Sequence, residues 1–419
     1  MGQSGPSKAG QYNVICFGFM PWGNMWKRNQ SMMAELAKLT FIRNLIFVNP
    51  RISLKNKLGT QVNHIHGKGV VNTILPKRIN SKIMVYTPMT WLPCKQYLPK
   101  LMKVEDGITL KMIRLLNQNQ PYILFLNCPN FSSNLVMDAL IKNASLTLFD
   151  FSDDFSELGY DKTTQETFRR NSLAYAQKAD VVLTVNEHIK KKYVGVNANI
   201  HVVRNATNYE NFDRPRFDPL EKLEGMKKSG RSIIGYSGIA NLSRMDTVIL
   251  DHIIRQKPTW QLLFVGPAQP DFIERYSRFE NVHLWGSVNY DELPRVIRYF
   301  DVAIVPFLIN DRTKGNDLLK LYDYLALGKP VVSTNIGGAG DLREVIRLAD
   351  TPSDFFNEVE KALQSEDSDD VEVRKKVART NSWLYRITEV EALIRGGLEE
   401  RPASMGAFGG KVSDASYSS

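Results

Sequence analysis

The sequence predicts two doubly wound α/β domains that face each other across a cleft and end in a helical tail. Three observations predict it. The chain has 419 residues, about twice the length of an ordinary domain. Short β-branched or aromatic runs alternate with helical patterns throughout, which calls for parallel sheets covered on both faces. The alternation fades once, between Thr207 and Gly230, where Asn, Pro, Lys, Glu and Gly dominate, and then restarts.

The first-half strands are expected at Asn13–Phe19, Leu45–Asn49, Lys82–Thr87, Tyr122–Asn127, Leu146–Phe149, Val181–Val185 and Ile200–Val203. Between them, helices are expected at Trp26–Lys38, with Met32, Met33, Leu36 and Leu39 on one face, at Asp106–Gln118, Ser132–Lys142 and Gln165–Lys178. After the break come strand Ser232–Tyr236, helix Arg244–Arg255, strands Trp260–Val265 and Val282–Trp285, helix Tyr290–Tyr299 and strand Val302–Pro306. Helix Leu318–Leu327, strand Pro330–Thr334 and mostly helix from Ser353 to Arg395 complete the pattern. The expected domains are therefore residues 11–206 and 232–380, joined by a linker at 207–231. A helix follows at 381–400, and the Gly/Ser/Ala-rich ends, 1–10 and 401–419, are expected to be disordered.

Composition excludes several classes. At 43% hydrophobic and 23% charged, the chain can bury two cores and is neither disordered nor fibrous. Cys16, Cys94 and Cys128 are scattered, without C-x-x-C spacing, so a structural zinc site is not expected and a reducing, cytoplasmic setting fits. The six histidines offer only His64-x-His66, and no P-loop, zinc-protease motif or Ser-nucleophile elbow is present. Val14–Met20 is too short for a signal-peptide core, and Pro6 replaces the Ser or Thr of a myristoylation signal. The net charge of +10 is concentrated: residues 1–149 hold 18 basic against four acidic side chains, whereas residues 150–419 hold 36 against 40. The positive half suits an anionic partner, a membrane surface or a diphosphate, and it carries no nucleic-acid reading motif. Basic residues mix with aliphatics and aromatics over residues 74–104, as on a surface that dips into an anionic interface.

The segment Asn310–Thr334 carries the most chemistry. A strand ends at Val305-Pro306, a polar loop follows, and a helix opens near Asp317. The first turn of such a helix presents unpaired N–H groups and a positive dipole end to a phosphate. Lys320 adds a full charge, and Asp323, one turn on, can accept ribose hydroxyls. An exposed Lys–Asp helix pair has the same spacing.

The run from Lys320 to Val332, KLYDYLALGKPVV, resembles the nucleotide-sugar-binding segment of GT-B glycosyltransferases, in particular bacterial enzymes of teichuronic-acid and exopolysaccharide synthesis. Further pieces occur in order: Trp26–Gln30, Phe149–Asp154, Ala179–Val181, Arg204–Asn208, Ile234–Gly238, Phe264–Pro267, Asn281–Gly286 and Tyr290–Pro294. The resemblance spans roughly residues 12–395. It implies two Rossmann-like domains with a C-terminal helix near Asn381–Arg395 crossing back onto the first. It also implies a nucleoside diphosphate-sugar donor, UDP favoured, without an obligatory metal or other cofactor. The donor side would comprise Lys320, Asp323, Arg244, Gly238, Asn316, Asp317, Leu318 and Tyr322. Gly18, Trp22, Gly23 and Arg28 would line the acceptor side or the cleft, with Trp22 either stacking on a sugar or packing. The implied acceptor is lipid-linked or a growing glycan, at the inner face of the cell membrane. A sugar-nucleotide epimerase and an inactive scaffold are the alternatives.

Two departures bear on mechanism. Many retaining members carry two glutamates eight positions apart; here the first falls on Gly315 and the second is shortened to Asp323. An inverting enzyme instead needs a carboxylate to take the acceptor's proton. Asp153 and Asp154, just past a strand end, stand where an α/β domain presents functional groups, and an N-cap or a salt bridge would explain them equally well.

Overall fold

The computed structural model describes residues 11–23, 26–53, 75–90, 99–127, 129, 134–157, 161–214, 218–364 and 368–400. Both chain ends, Cys94, Cys128, the His64-x-His66 pair and residues 74 and 91–98 of the 74–104 segment lie outside the described residues.

The first sheet contains β1 (Tyr12–Phe17), β2 (Ile42–Val48), β4 (Lys77–Arg78), β5 (Ile83–Tyr86), β7 (Tyr122–Leu126), β8 (Leu146–Phe151), β9 (Val181–Thr184) and β10 (Ile200–Val202). Two short strands, β3 (Ile52–Ser53) and β6 (Met89–Thr90), pair beside it. The order is β10-β9-β8-β7-β1-β2-β5-β4, parallel except for edge strand β4. Val14 and Cys16 pack on one face while Ile15 and Phe17 pack on the other, as alternation along a doubly covered strand requires.

The second sheet joins β11 (Ile233–Ser237), β12 (Gln261–Val265), β13 (Val282–Gly286), β14 (Val302–Val305), β15 (Val331–Ser333) and β16 (Arg347–Leu348) in the order β13-β12-β11-β14-β15-β16. In both sheets the winding reverses beside the first strand, between β1 and β7 and between β11 and β14. A crevice opens at the carboxyl ends of the strands at such a point.

The stretch expected as linker is more ordered than its composition suggests. It holds helices Tyr209–Phe212 and Glu221–Lys228, and Tyr209, Phe212 and Leu223 are buried in the second core. Two short apolar anchors suffice, which is why periodicity did not reveal them. The chain leaves the first domain at Thr207 and returns beside it, where Trp383 N donates to Thr207 O at 3.0 Å. Trp383, Ile387, Val390 and Ile394 of helix Trp383–Glu400 then bury one stripe in the first domain's core. Other boundaries move for local reasons. The helix expected from Arg244 begins at Thr247, because Asp246 caps it by accepting from Val248 N and Ile249 N. Tyr290–Glu292 is a 3-10 turn before helix Leu293–Ile297, with Pro294 in its first turn.

Candidate active site

The two crevices face each other across a cavity of about 360 Å³. Its second-domain wall is built on three glycine-permitted approaches. Gly238, at the end of β11, has φ +133°, and a Cβ there would stand 2.7 Å from Lys320 Nζ. Gly266, also at φ +133°, packs so closely that its Cβ would meet Gly238 O at 2.3 Å. Gly337, at φ +35°, lies directly against Asn316 O.

Lys320 projects into this wall from helix Leu319–Ala326. Its ammonium donates to Tyr236 Oη at 2.8 Å and lies 4.0 Å from that ring's centroid. Arg244 flanks Phe307, and Lys27 reaches in from the first domain. Burial, then Arg244 and Lys27, hold the Lys320 amine well below its ordinary range. Burial and Arg244 likewise lower Lys27. None of the three makes an ion pair within 4 Å among the described residues, so an arriving dianion would relieve their repulsion. The start of the helix, at Leu318, has no side-chain cap. Asn316 also lines the wall, and its buried Nδ2 has no hydrogen-bond partner among the described residues.

Asp323 is 3% exposed, and its Oδ1 accepts from Thr207 Oγ1 at 2.7 Å and Tyr290 Oη at 3.0 Å. Burial pushes its pKa up to about 7, against the pull of those hydrogen bonds and of Lys27 and Lys320. Asp317 and Tyr322 do different work from that expected of donor ligands. Asp317 Oδ2 accepts from Asn205 N at 2.6 Å and its Oδ1 from Tyr322 Oη at 3.1 Å, which ties the domains together. Asp317 still touches the cavity, whereas Tyr322 does not line it.

Across the cleft, Asp153 lines the wall and accepts from Asp154 N at 2.9 Å. Burial raises its pKa to about 6, opposed chiefly by Arg244. Asp154, the other expected catalytic candidate, is 1% exposed, does not line the cavity, and pairs with Lys192 at 2.9 Å. A Cβ on Gly315 would stand 2.9 Å from Asp154 Cβ, so a glutamate at that position has no room. Arg28 borders the cavity but is committed elsewhere. Its guanidinium grips Asp150 through contacts of 2.8 and 2.9 Å and donates to Arg204 O at 3.1 Å. Trp22 packs edge-on against Phe47 at 5.0 Å, and Trp26 takes the place on the wall. Gly18 is small because a Cβ would enter the Phe47 ring, and neither Gly18 nor Gly23 lines the cavity.

Residues 243–365 match the family described as Glycosyl transferases group 1. The putative teichuronic acid biosynthesis glycosyltransferase TuaH of Bacillus subtilis is 27% identical over 240 residues, 53% of this chain and 59% of that relative. Sucrose-phosphate synthase from Thermosynechococcus elongatus superposes with a TM-score of 0.64 at 15% identity, over 92% of this chain and 98% of that one. HepE of Anabaena, solved with UDP and glucose, gives 0.60 at 12% identity, over 92% and 99%.

The fold is GT-B.

Within this GT-B frame the family match takes in Arg244, Asn316, Asp317, Leu318, Lys320 and Asp323 but none of the first-domain wall. The sequence reading missed Lys27, Tyr236 and Tyr290 as wall residues. Lys27 lay inside the Trp26–Gln30 stretch but within the helix expected at Trp26–Lys38; the helix begins at Arg28, which leaves Lys27 at its cap position. Tyr236 and Tyr290 likewise lay inside the Ile234–Gly238 and Tyr290–Pro294 stretches, but a tyrosine at a strand end or turn is ordinary core, so neither stood out.

Proposed function

We propose that this chain is a glycosyltransferase that moves a sugar from a nucleoside diphosphate donor, with UDP the favoured nucleotide, to a lipid-linked or polysaccharide acceptor in bacterial surface-glycan synthesis. The observation that carries this reading is the convergence of Lys27, Arg244 and Lys320 at an uncapped helix start, opposite Asp153. That likeness to HepE, solved with UDP and glucose, supports the choice of nucleotide.

In this mechanism the second domain holds the donor. Lys320, Arg244 and the N–H groups of the first helical turn face the diphosphate, with Asn316 Nδ2 free to donate to it. Asp323, fixed by Thr207 and Tyr290, takes the ribose hydroxyls. Asp153 removes the acceptor hydroxyl's proton as that oxygen bonds to the anomeric carbon. The bond from that carbon to the phosphate oxygen breaks, its electron pair leaves on the diphosphate, and the three cations stabilise the growing charge. Attack opposite the leaving group inverts the anomeric centre. A packed Gly315 where a retaining enzyme would place its first glutamate supports inversion. Those cations supply the charge that a metal would otherwise bring. The basic first half would keep the enzyme on the inner membrane face, near a lipid-linked acceptor.

A thermal-shift panel of UDP, GDP, ADP and CMP, with and without EDTA, tests the donor site. The expected result is one clear shift, with UDP, that EDTA leaves unchanged. No shift with any nucleotide would sink the reading.

A further inference from the structure

Helix Pro99–Asn117 is turned the wrong way round for a water-facing helix. Its two acids, Glu105 and Asp106, are buried and paired with Arg51 at 3.3 and 2.8 Å. Its outer face carries Val104, 57% exposed, Ile108, 48% exposed, and Leu115, 68% exposed, with the exposed Lys103 and Lys111 between and beside them. Positions 104, 108, 111 and 115 are spaced by four, three and four residues, so they form one stripe about 16 Å long. A soluble helix spends its acids on water and its aliphatics on the core; here Ile113 is buried, Leu110, Met112 and Leu116 pack beside the core, and three more aliphatics remain outside.

We infer that this stripe is the surface by which the protein rests on an anionic lipid membrane. It deepens the membrane-face part of the reading above and rests on it. Charge complementarity selects the occupant. All four acids of residues 1–149 are held in ion pairs: Glu35 with Lys38, Glu105 and Asp106 with Arg51, and Asp138 with Lys178. The exposed bases of the described part of this half, among them Lys77, Arg78, Lys103 and Lys111, therefore meet no unpaired carboxylate from residues 1–149. Apolar side chains flanked by lysines can enter the acyl boundary while the ammonium groups stay among the headgroups. No helix among the described residues is long and apolar enough to cross a membrane.

The topology gives this face a use. β5 and β7 run parallel within one sheet, so the intervening helix returns antiparallel to them. Its first turns, with Lys103 and Val104, lie at the carboxyl edge of the sheet, where the cleft opens. A lipid-linked acceptor seated under the stripe would meet the cleft from the same edge.

The test is flotation of the whole chain on vesicles of neutral phosphatidylcholine, or of phosphatidylcholine with 30% phosphatidylglycerol, at low and high salt. The triple variant Val104→Ser, Ile108→Ser, Leu115→Ser is compared with Lys103→Gln, Lys111→Gln, and thermal melts confirm that both fold. The wild type is expected on anionic vesicles, about tenfold less on neutral ones, and less at high salt. Each variant should reduce partitioning about tenfold. Equal capture of the triple variant, or indifference of the wild type to lipid charge, overturns the inference. So does a wild-type dimer in sedimentation that the triple variant turns into monomer, since the face would then belong to a second copy. Nucleotide binding is measured on the same samples. If it persists while flotation fails, only the membrane face is lost; if flotation holds and no nucleotide binds, the donor reading falls instead.

Discussion

The two walls of the cleft are built differently. The second-domain wall is assembled mostly from residues close in sequence: Asn316, Leu318, Lys320 and Asp323 come from one loop and one helix, with Gly238 and Arg244 from one strand end. The first-domain wall is assembled from pairings across the chain. Arg28 is set by Asp150, 122 residues away, and Asp154 by Lys192, 38 away. Of the charged groups there, Lys27, Arg28 and Asp153 line the cavity, while Asp150 and Asp154 are buried in ion pairs with Arg28 and Lys192. A local site reports itself in spacing, whereas a site made by tertiary pairing does not.

The sharpest way to break this division is at Asp153 and Asp154. Asp153→Asn should cut turnover by about 10²–10⁴-fold while leaving donor binding intact, because the base is removed but no donor contact. Asp154→Asn should keep turnover within a few-fold and lower stability, because the ion pair of the buried Asp154 carboxylate with Lys192 is lost. Steady-state rates and calorimetric donor affinity on both variants decide it. An active Asp153→Asn beside a stable but dead Asp154→Asn would exchange the two roles.

Arg28 provides the next contrast. It resembles a phosphate ligand in sequence, yet its partner Asp150 is 0% exposed. Arg28→Met should therefore cost about 3–5 kcal/mol of stability by leaving a buried carboxylate unpaired. Denaturant unfolding measures that loss. Lys320→Met should do the reverse: little change in stability and a loss of roughly 10–100-fold in nucleoside diphosphate affinity, the range of a charged hydrogen bond. A destabilised Lys320→Met with unchanged affinity would show that the lysine belongs with the struts.

The same contrast explains what was legible beforehand. Alternating strands and helices fixed the two-sheet architecture, since β-branched runs separated by amphipathic helices have few other packings. Lys320 and Asp323 were legible because one helical turn sets their separation whatever the rest of the chain does. Asp317 and Tyr322 shared that local pattern, but in the structure the Asp317 carboxylate accepts from Asn205 and Tyr322 while still bordering the cavity, and Tyr322 does not line it. Trp22 was ambiguous because only the Phe47 ring, brought over by β2, decides between stacking and packing. Lys27 was overlooked because its value depends on Arg244 and Lys320 arriving from another domain.

The smallest effect follows from the two raised carboxylates, one on each wall. Asp153 titrates near 6 and Asp323 near 7 in the folded protein, against 3.8 for a free aspartate. Between pH 3.8 and these values the unfolded chain has released protons that the folded chain still holds. The unfolded state therefore binds fewer protons, and stability falls as pH rises through the window. Below it, both states are protonated and neither group contributes. At about 1.4 kcal/mol per unit the full penalty above pH 7 would reach roughly 3–4 kcal/mol per group, reduced by solvent screening and relaxation to about 1–2. Asp153→Asn and Asp323→Asn should thus each melt a few degrees higher than the wild type at pH 8, with the gap closing toward pH 4. A gap that stays constant with pH would mean that both carboxylates titrate normally. A gap at Asp323 alone would show that the second-domain wall is closed to water before any ligand arrives, while the wall carrying Asp153 is still wet.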